Sequence, residues 1–251
     1  ERGPRRVLLA PGAGAIVDKA SRILAAADEL ERTARMSDGP LAGEFRLGAI
    51  PTIGPYLYPH VVADLRRAWP DLRLHLVEGK TEDLLRDLRR GDLDAALLSP
   101  PFDDDGLSRA ALYREDFLLA LPSGHRLARK KTVRLADLDE EPLLLLDEGH
   151  CLRDQVVDFC RIGQADAREQ LRSTSLETLR NMVAGGMGCT LMPELALGAN
   201  ETFETRRVTR PAPSREVALY WRRSFTESDS VGKLAETIRK NLPDSVRALR
   251  R

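Results

Sequence analysis

At 251 residues the chain exceeds one average domain, which predicts two lobes, and its 42% apolar content is enough for a substantial core. No apolar run reaches membrane-span length, and Lys plus Arg (39) equal Asp plus Glu (39), so the chain lacks the basic excess of a free-standing nucleic-acid binder. Residues Glu1–Val17 hold charges and no continuous apolar stretch, unlike a signal peptide, and three cysteines in no framework spacing argue for the reducing cytoplasm.

Glu1–Gly14 is basic and then broken by Pro and Gly. Ala15–Ser37 reads as a helix: Ile16, Ala20, Ile23, Ala27, Leu30 and Ala34 recur at spacings of four and three. That a/d seam suits a partner helix or the chain's own surface. From Glu44, strands and helices alternate. Phe45, Leu47 and Ala49 make a strand ending at Pro51-Thr52, and Tyr56–Trp69 a helix stopped by Pro70. Leu72, Leu74 and Leu76 make the next strand. Gly79-Lys80 then leads to a helix capped by Thr81, carrying Leu84, Leu85 and Leu88 and ended by Gly91. Asp94–Ser99 is a third strand, and the βαβαβ order predicts a parallel sheet with right-handed crossovers.

Phe117–Leu121 reads as a buried strand, with the turn Pro122-Ser123-Gly124-His125 crossing into a second lobe. Val133–Asp139 follows as a short helix, Leu143–Leu146 and Gln170–Ser173 as strands, and Thr174 with Glu177 as a capping box for the helix Ser175–Ala184. Cys189–Met192 is a strand, Val217–Trp221 returns towards the first lobe, and Ser230–Asn241 closes as an amphipathic helix. Two α/β lobes, Rossmann-like and joined by two crossovers, make a periplasmic-binding-protein-like architecture. Such a fold permits many functions.

Thr52 and Thr81 share a location, each after a strand's carboxyl end and before a helix, where doubly wound sheets place ligands. As isolated residues, both are more often simple caps or turn hydroxyls. The stretch His150–Cys160 holds two of the three cysteines. His150 and Arg153 favour a thiolate at Cys151, as does the N-terminus of a helix starting there, while Asp147, Glu148 and Asp154 oppose it. Nine helical residues turn through about 900°, placing Cys151 and Cys160 on opposite faces roughly 13.5 Å apart along the axis. A disulfide needs Cα atoms within about 4.4–6.8 Å. Joining the two cysteines must therefore destroy the helix between them; the alternative is two unrelated cysteines on an amphipathic helix.

The run Gly149-His150-Cys151-Leu152-Arg153-Asp154-Gln155 with Phe159-Cys160 resembles the redox segment of OxyR, the peroxide-sensing group of LysR-type bacterial regulators. Thr174-Ser175-Leu176-Glu177-Thr178-Leu179-Arg180-Asn181-Met182-Val183-Ala184 resembles the same group, and the likeness runs from about Leu41 to Arg222. The resemblance implies a cytoplasmic transcription activator that responds to oxidative stress and is not an enzyme. Cys151 would be the peroxidatic thiol and Cys160 the resolving one. Thr52, Thr81, His150 and Arg222 would cradle the peroxide, with Arg223 the alternative to Arg222, and Arg153 and Asp154 would lend support. Residues 1–14 would be the remnant of a winged helix-turn-helix domain and 15–38 a linker helix. Residues 41–119 with 218–251 would form one lobe, and 120–217 the lobe with the cysteines. Implied partners are hydrogen peroxide, DNA through the missing N-terminal domain, a second copy or a tetramer, and RNA polymerase, with no membrane.

These residue types fit the chemistry. A thiolate attacks one peroxide oxygen in line while donors stabilise the departing hydroxide. The resulting sulfenic acid condenses with a second thiol to give a disulfide. Cys189, in an apolar strand, reads as a buried inert thiol. His60, His75 and His125 lack metal spacing and no Gly-rich phosphate loop is present, so neither metal nor cofactor is expected. Competing readings are a LysR-type domain binding a small metabolite between its lobes and a thiol peroxidase or oxidoreductase. The cysteine pair speaks against the first, and the absent Cys-x-x-Cys against the second.

Overall fold

The computed structural model describes residues 41–138, 141–162, 168–198, 200–209, 211–226 and 228–249, with isolated positions between 10 and 27. The basic N-terminal segment and the later part of the expected linker helix lie outside them. The described positions at 13–14, 16–17, 19–20, 23–24 and 26–27 are helical. Ile16 and Ile23 of the seam are each 70% exposed, so the chain does not cover them. No helix among the described residues is long and apolar enough to cross a membrane.

The βαβαβ unit forms as its pattern predicts. Strand β1 (Gly43–Ala49) runs parallel between β2 (Leu72–Glu78) and β3 (Ala95–Leu98). Helix α1 (Gly54–Ala68) follows β1 and buries Leu57, Val61 and Leu65 at four-residue spacing. Helix α2 (Thr81–Arg90) follows β2 and buries Leu84, Leu85 and Leu88, about 1.5–3 kcal/mol apiece. Gly91 closes α2 at φ 87°, a left-handed conformation that suits glycine.

Strand β4 (Leu107–Leu121) is 15 residues long and belongs to both halves of the molecule. From Leu107 to Asp116 it pairs antiparallel with β10 (Ser214–Arg222), and beyond that with β8 (Thr190–Pro193) and β9 (Glu204–Thr209). Leu112 and Tyr113 sit in one hydrophobic core, Phe117 and Leu119 in the other. The passage between cores therefore lies inside β4, ahead of the turn at Pro122. β5 (Thr132–Arg134) pairs with β9, and β6 (Pro142–Leu146) with β7 (Arg168–Ser173). Helix α3 (Cys151–Ile162) follows β6, α4 (Leu176–Ala184) follows β7, and α5 (Ser228–Lys240) packs on the first core.

Three local expectations give way. Val133–Asp139 is not a helix, because Val133 pairs with Val208 in the sheet and only Leu135–Leu138 turns as a 3-10 helix. The capping box is absent: Ser175 is the N-cap and accepts no side-chain bond, while Glu177 accepts from the Tyr56 hydroxyl at 2.8 Å. Thr81 does not cap α2 either. Lys80 occupies the cap, and Thr81 is the first helical residue.

Candidate functional site

Three strand ends converge. The loops after β1 and β2 deliver Thr52 and Thr81, and the turn 147–150 after β6 delivers His150 and Cys151. Together with Lys80 and Gly149 they line one tight cleft holding about 170 Å³ of empty space. The threonines come from the first lobe and the thiol from the second, so the site closes where the lobes meet.

Cys151 opens α3 and is largely buried against the first core, while Cys160 is 4% exposed in the second. The two thiols thus lie on opposite faces of α3, embedded in different cores, and both are free. Burial pushes the Cys151 thiol above its usual value, and Asp154 adds to this. The Arg215 guanidinium and the Thr81 hydroxyl pull the other way. At rest Cys151 is a protonated thiol whose ionised form already has two stabilisers in place.

Arg215, on β10, is the residue the sequence reading missed. Its Nη1 donates to Thr52 Oγ1 at 2.8 Å and its Nη2 to the Thr52 carbonyl at 2.8 Å. Its Nε donates to Glu115 Oε1 at 2.7 Å in an ion pair with both side chains 0% exposed. The other Glu115 oxygen accepts from the Leu195 amide at 3.1 Å. A hydroxyl that accepts from Arg215 keeps its own proton to donate, so Thr52 offers an O–H to an incoming oxygen. The Thr81 hydroxyl is buried without a partner of regular hydrogen-bond geometry, and the group it favours is the Cys151 thiolate.

His150 is 6% exposed and its Nε2 has no hydrogen-bond partner among the described residues. Burial, then the Lys80 charge, lowers its pKa. It stands beside the thiol as a neutral imidazole, not as the cation the sequence suggests. Arg222 is not brought to the site. It is buried under the other end of the sheet, donating to the Leu88 and Leu93 carbonyls at 2.8 and 2.7 Å, with its guanidinium 5.5 Å from the Phe225 ring centre. Arg215 and Arg222 lie seven residues apart on one strand, and odd spacing sends side chains to opposite faces. Arg223, the alternative, is exposed beyond the strand. Arg153 lies 3.6 Å from the exposed Asp154, and Asp154 disfavours ionisation of Cys151. Cys189 is 1% exposed and burial lifts it to about 12.

The signal for Arg215 was present in the run Ser214-Arg215-Glu216-Val217, whose arginine starts a strand otherwise apolar on one face. Its partner Glu115 was hidden because Arg114-Glu115-Asp116 reads as a solvated loop.

The LysR substrate binding domain family matches residues 38–243. A probable hydrogen peroxide-inducible genes activator from Mycobacterium avium is 41% identical over 244 residues, 95% of this chain and 78% of that protein. This chain belongs to the LysR family, in its OxyR group. The DNA-binding transcriptional dual regulator OxyR of Escherichia coli K12 is 37% identical over 245 residues, 96% of this chain and 80% of that one. A full-length OxyR from Pseudomonas aeruginosa carrying a cysteine-to-aspartate change superposes with TM-score 0.83 at 34% identity, covering 100% of this chain and 82% of that chain. The OxyR-like domain is thus a regulator's sensing part and not an enzyme.

Proposed function

We propose that this chain is the peroxide-sensing part of a transcription regulator, and that Cys151 is its sensor. The observation that carries the reading is the placement of Cys151 beside a buried arginine and two threonine hydroxyls, with a second thiol at the far end of the same helix. The Cys151 thiolate attacks one oxygen of hydrogen peroxide, the O–O bond breaks, and hydroxide leaves to be protonated to water. Thr52 and Thr81 hold the two oxygens in line, and the Arg215 charge stabilises the thiolate and the developing hydroxide. Cys160 then displaces water from the sulfenic acid to give the disulfide.

The cleft at Cys151 is nearly filled by its own lining, far tighter than the roughly 300–1,000 Å³ of ordinary metabolite pockets, which speaks against a metabolite effector bound at this site. By analogy with its relatives the protein acts in the cytoplasm as an activator. DNA would be held by an N-terminal domain, residues 15–38 would link that domain to the sensor, and two or four copies would assemble to contact RNA polymerase. Within the sensor, residues 41–119 and 218–251 would form one regulatory lobe and 120–217 the other, except that Phe117 and Leu119 already pack in the second core and Leu195 and Val217 in the first. The test is thiol mapping by mass spectrometry after one equivalent of peroxide: wild type should lose the Cys151 and Cys160 thiols, and Cys151→Ser should consume no peroxide. Equal consumption by both proteins would refute the assignment.

A further inference from the structure

Lys80 lines the cleft beside Cys151 but has no part in the reaction described above. It sits at the N-cap of α2, immediately before Thr81. From there its Nζ crosses to the other lobe and donates to the Glu148 carbonyl at 2.7 Å. Gly149 lies beneath its stem with φ 83°, and a Cβ there would come within 3.1 Å of Lys80 Cδ. The close approach and the left-handed backbone both call for glycine. The turn 147–150 is therefore shaped around the lysine.

We propose that Lys80 is a positioning residue for the thiol reaction, fastening the turn that carries His150 and Cys151 to the lobe that carries Thr52 and Thr81. The contact holds the turn itself against the first lobe, in addition to the Gln155–Ser99 bond that ties the body of α3 there. Lys80 also acts on His150. The charged groups bearing on the imidazole are Lys80, from the start of α2, and Asp147, from its own turn; they oppose each other, and burial sides with Lys80. The imidazole stays neutral, leaving the unpartnered Nε2 in a ring that can pass or accept a proton as hydroxide leaves. One lysine thus bears on both the distance across the cleft and, second to burial, the charge state of its histidine.

This inference rests on the peroxide reading of the site, and the experiment separates the two. Wild type, Lys80→Met and Lys80→Arg are compared for the rate of Cys151 oxidation by hydrogen peroxide, the NMR titration of His150 and the thermal midpoint. A misplaced site loses on the order of 10²-fold in rate. Lys80→Met should slow oxidation towards that extent and move the His150 titration to higher pH, and Lys80→Arg should recover most of both. A Lys80→Met rate within about twofold of wild type, or a slowed rate with unchanged His150 titration and a lowered midpoint, would overturn the role. Failure of wild-type Cys151 to react at all would overturn the peroxide reading and the reaction role of Lys80 with it.

Discussion

Arg215 and Glu115 form an ion pair with neither side chain exposed, Nε to Oε1 at 2.7 Å, directly behind Thr52. The pair bonds β10 to the point of β4 where one core gives way to the other. It holds the charge that bears on the Cys151 thiol, and fold and chemistry meet there.

Removing that charge should cost reactivity and, because it strands Glu115 unpaired in the core, stability as well. Arg215→Met leaves Thr52 without its donor and the Cys151 thiolate without its cation. The expected loss in the peroxide rate is on the order of 10²–10³-fold, as for one preorganised donor. Arg222→Met removes bonds to the Leu88 and Leu93 carbonyls instead. It should lower stability and leave the rate of the folded protein near wild type. Stopped-flow peroxide consumption with both variants checks this, and the opposite ranking would return Arg222 to the site.

Glu115→Ala strands Arg215 in the core. Breaking a buried pair from one side typically costs about 3–5 kcal/mol, and the Leu195 amide also loses its acceptor. Guanidinium unfolding should show this loss. A change below about 1 kcal/mol, the scale of an exposed pair, would mean that water reaches Arg215.

Thr81→Val is nearly isosteric and removes the hydroxyl that favours the Cys151 thiolate. Oxidation by peroxide should slow on the order of 10²-fold with the fold intact. The measurement is the same stopped-flow assay, read beside a circular dichroism melt.

Much of this arrangement was legible in the sequence. The βαβαβ unit, the strand ends carrying Thr52 and Thr81, and the opposite-face placement of Cys151 and Cys160 follow from periodicity alone. The resemblance added the roles. What stayed hidden has physical causes. The stretch of β4 paired with β10 carries Ser108, Arg109, Arg114, Glu115 and Asp116, polar residues that read as surface although alternation buries Glu115 beside Tyr113 and Phe117. The choice of arginine depended on strand parity, and a bulge between Val217 and Ala218 shifts the register there. The neutrality of His150 came from burial and from Lys80, which lies 70 residues earlier and joins it only in the fold.

Cys189 should be a bystander with a pH signature. Its folded pKa is raised from 9.0 to about 12, chiefly by burial. A raised value means that its contribution to stability is complete below the unfolded pKa and is lost as pH rises through the folded one. The stability of wild type relative to Cys189→Ala should therefore fall between about pH 9 and pH 12 and be flat below pH 8. Denaturant melts of both proteins across that range check the slope, and peroxide oxidation of Cys151 should be nearly unchanged in Cys189→Ala.

Forming the Cys151–Cys160 disulfide should unwind α3. Cys151 packs on the first core and Cys160 in the second, at opposite ends of a nine-residue span that the helix holds about 13.5 Å long. A disulfide cannot bridge that separation. Closing it must pull Leu152, Val156 and Phe159 out of the second core, at about 1.5–3 kcal/mol each, and break the Gln155 bond to Ser99 that ties α3 to the first lobe at 3.0 Å. The oxidised state is therefore strained, and a strained bond is readily reduced, which suits a sensor that resets. Amide hydrogen exchange before and after verified Cys151–Cys160 disulfide formation, with Cys160→Ser as control, measures this most directly. Protection across residues 151–160 should be lost in the oxidised wild type alone. Unchanged protection there, with the disulfide confirmed by mass, would contradict it.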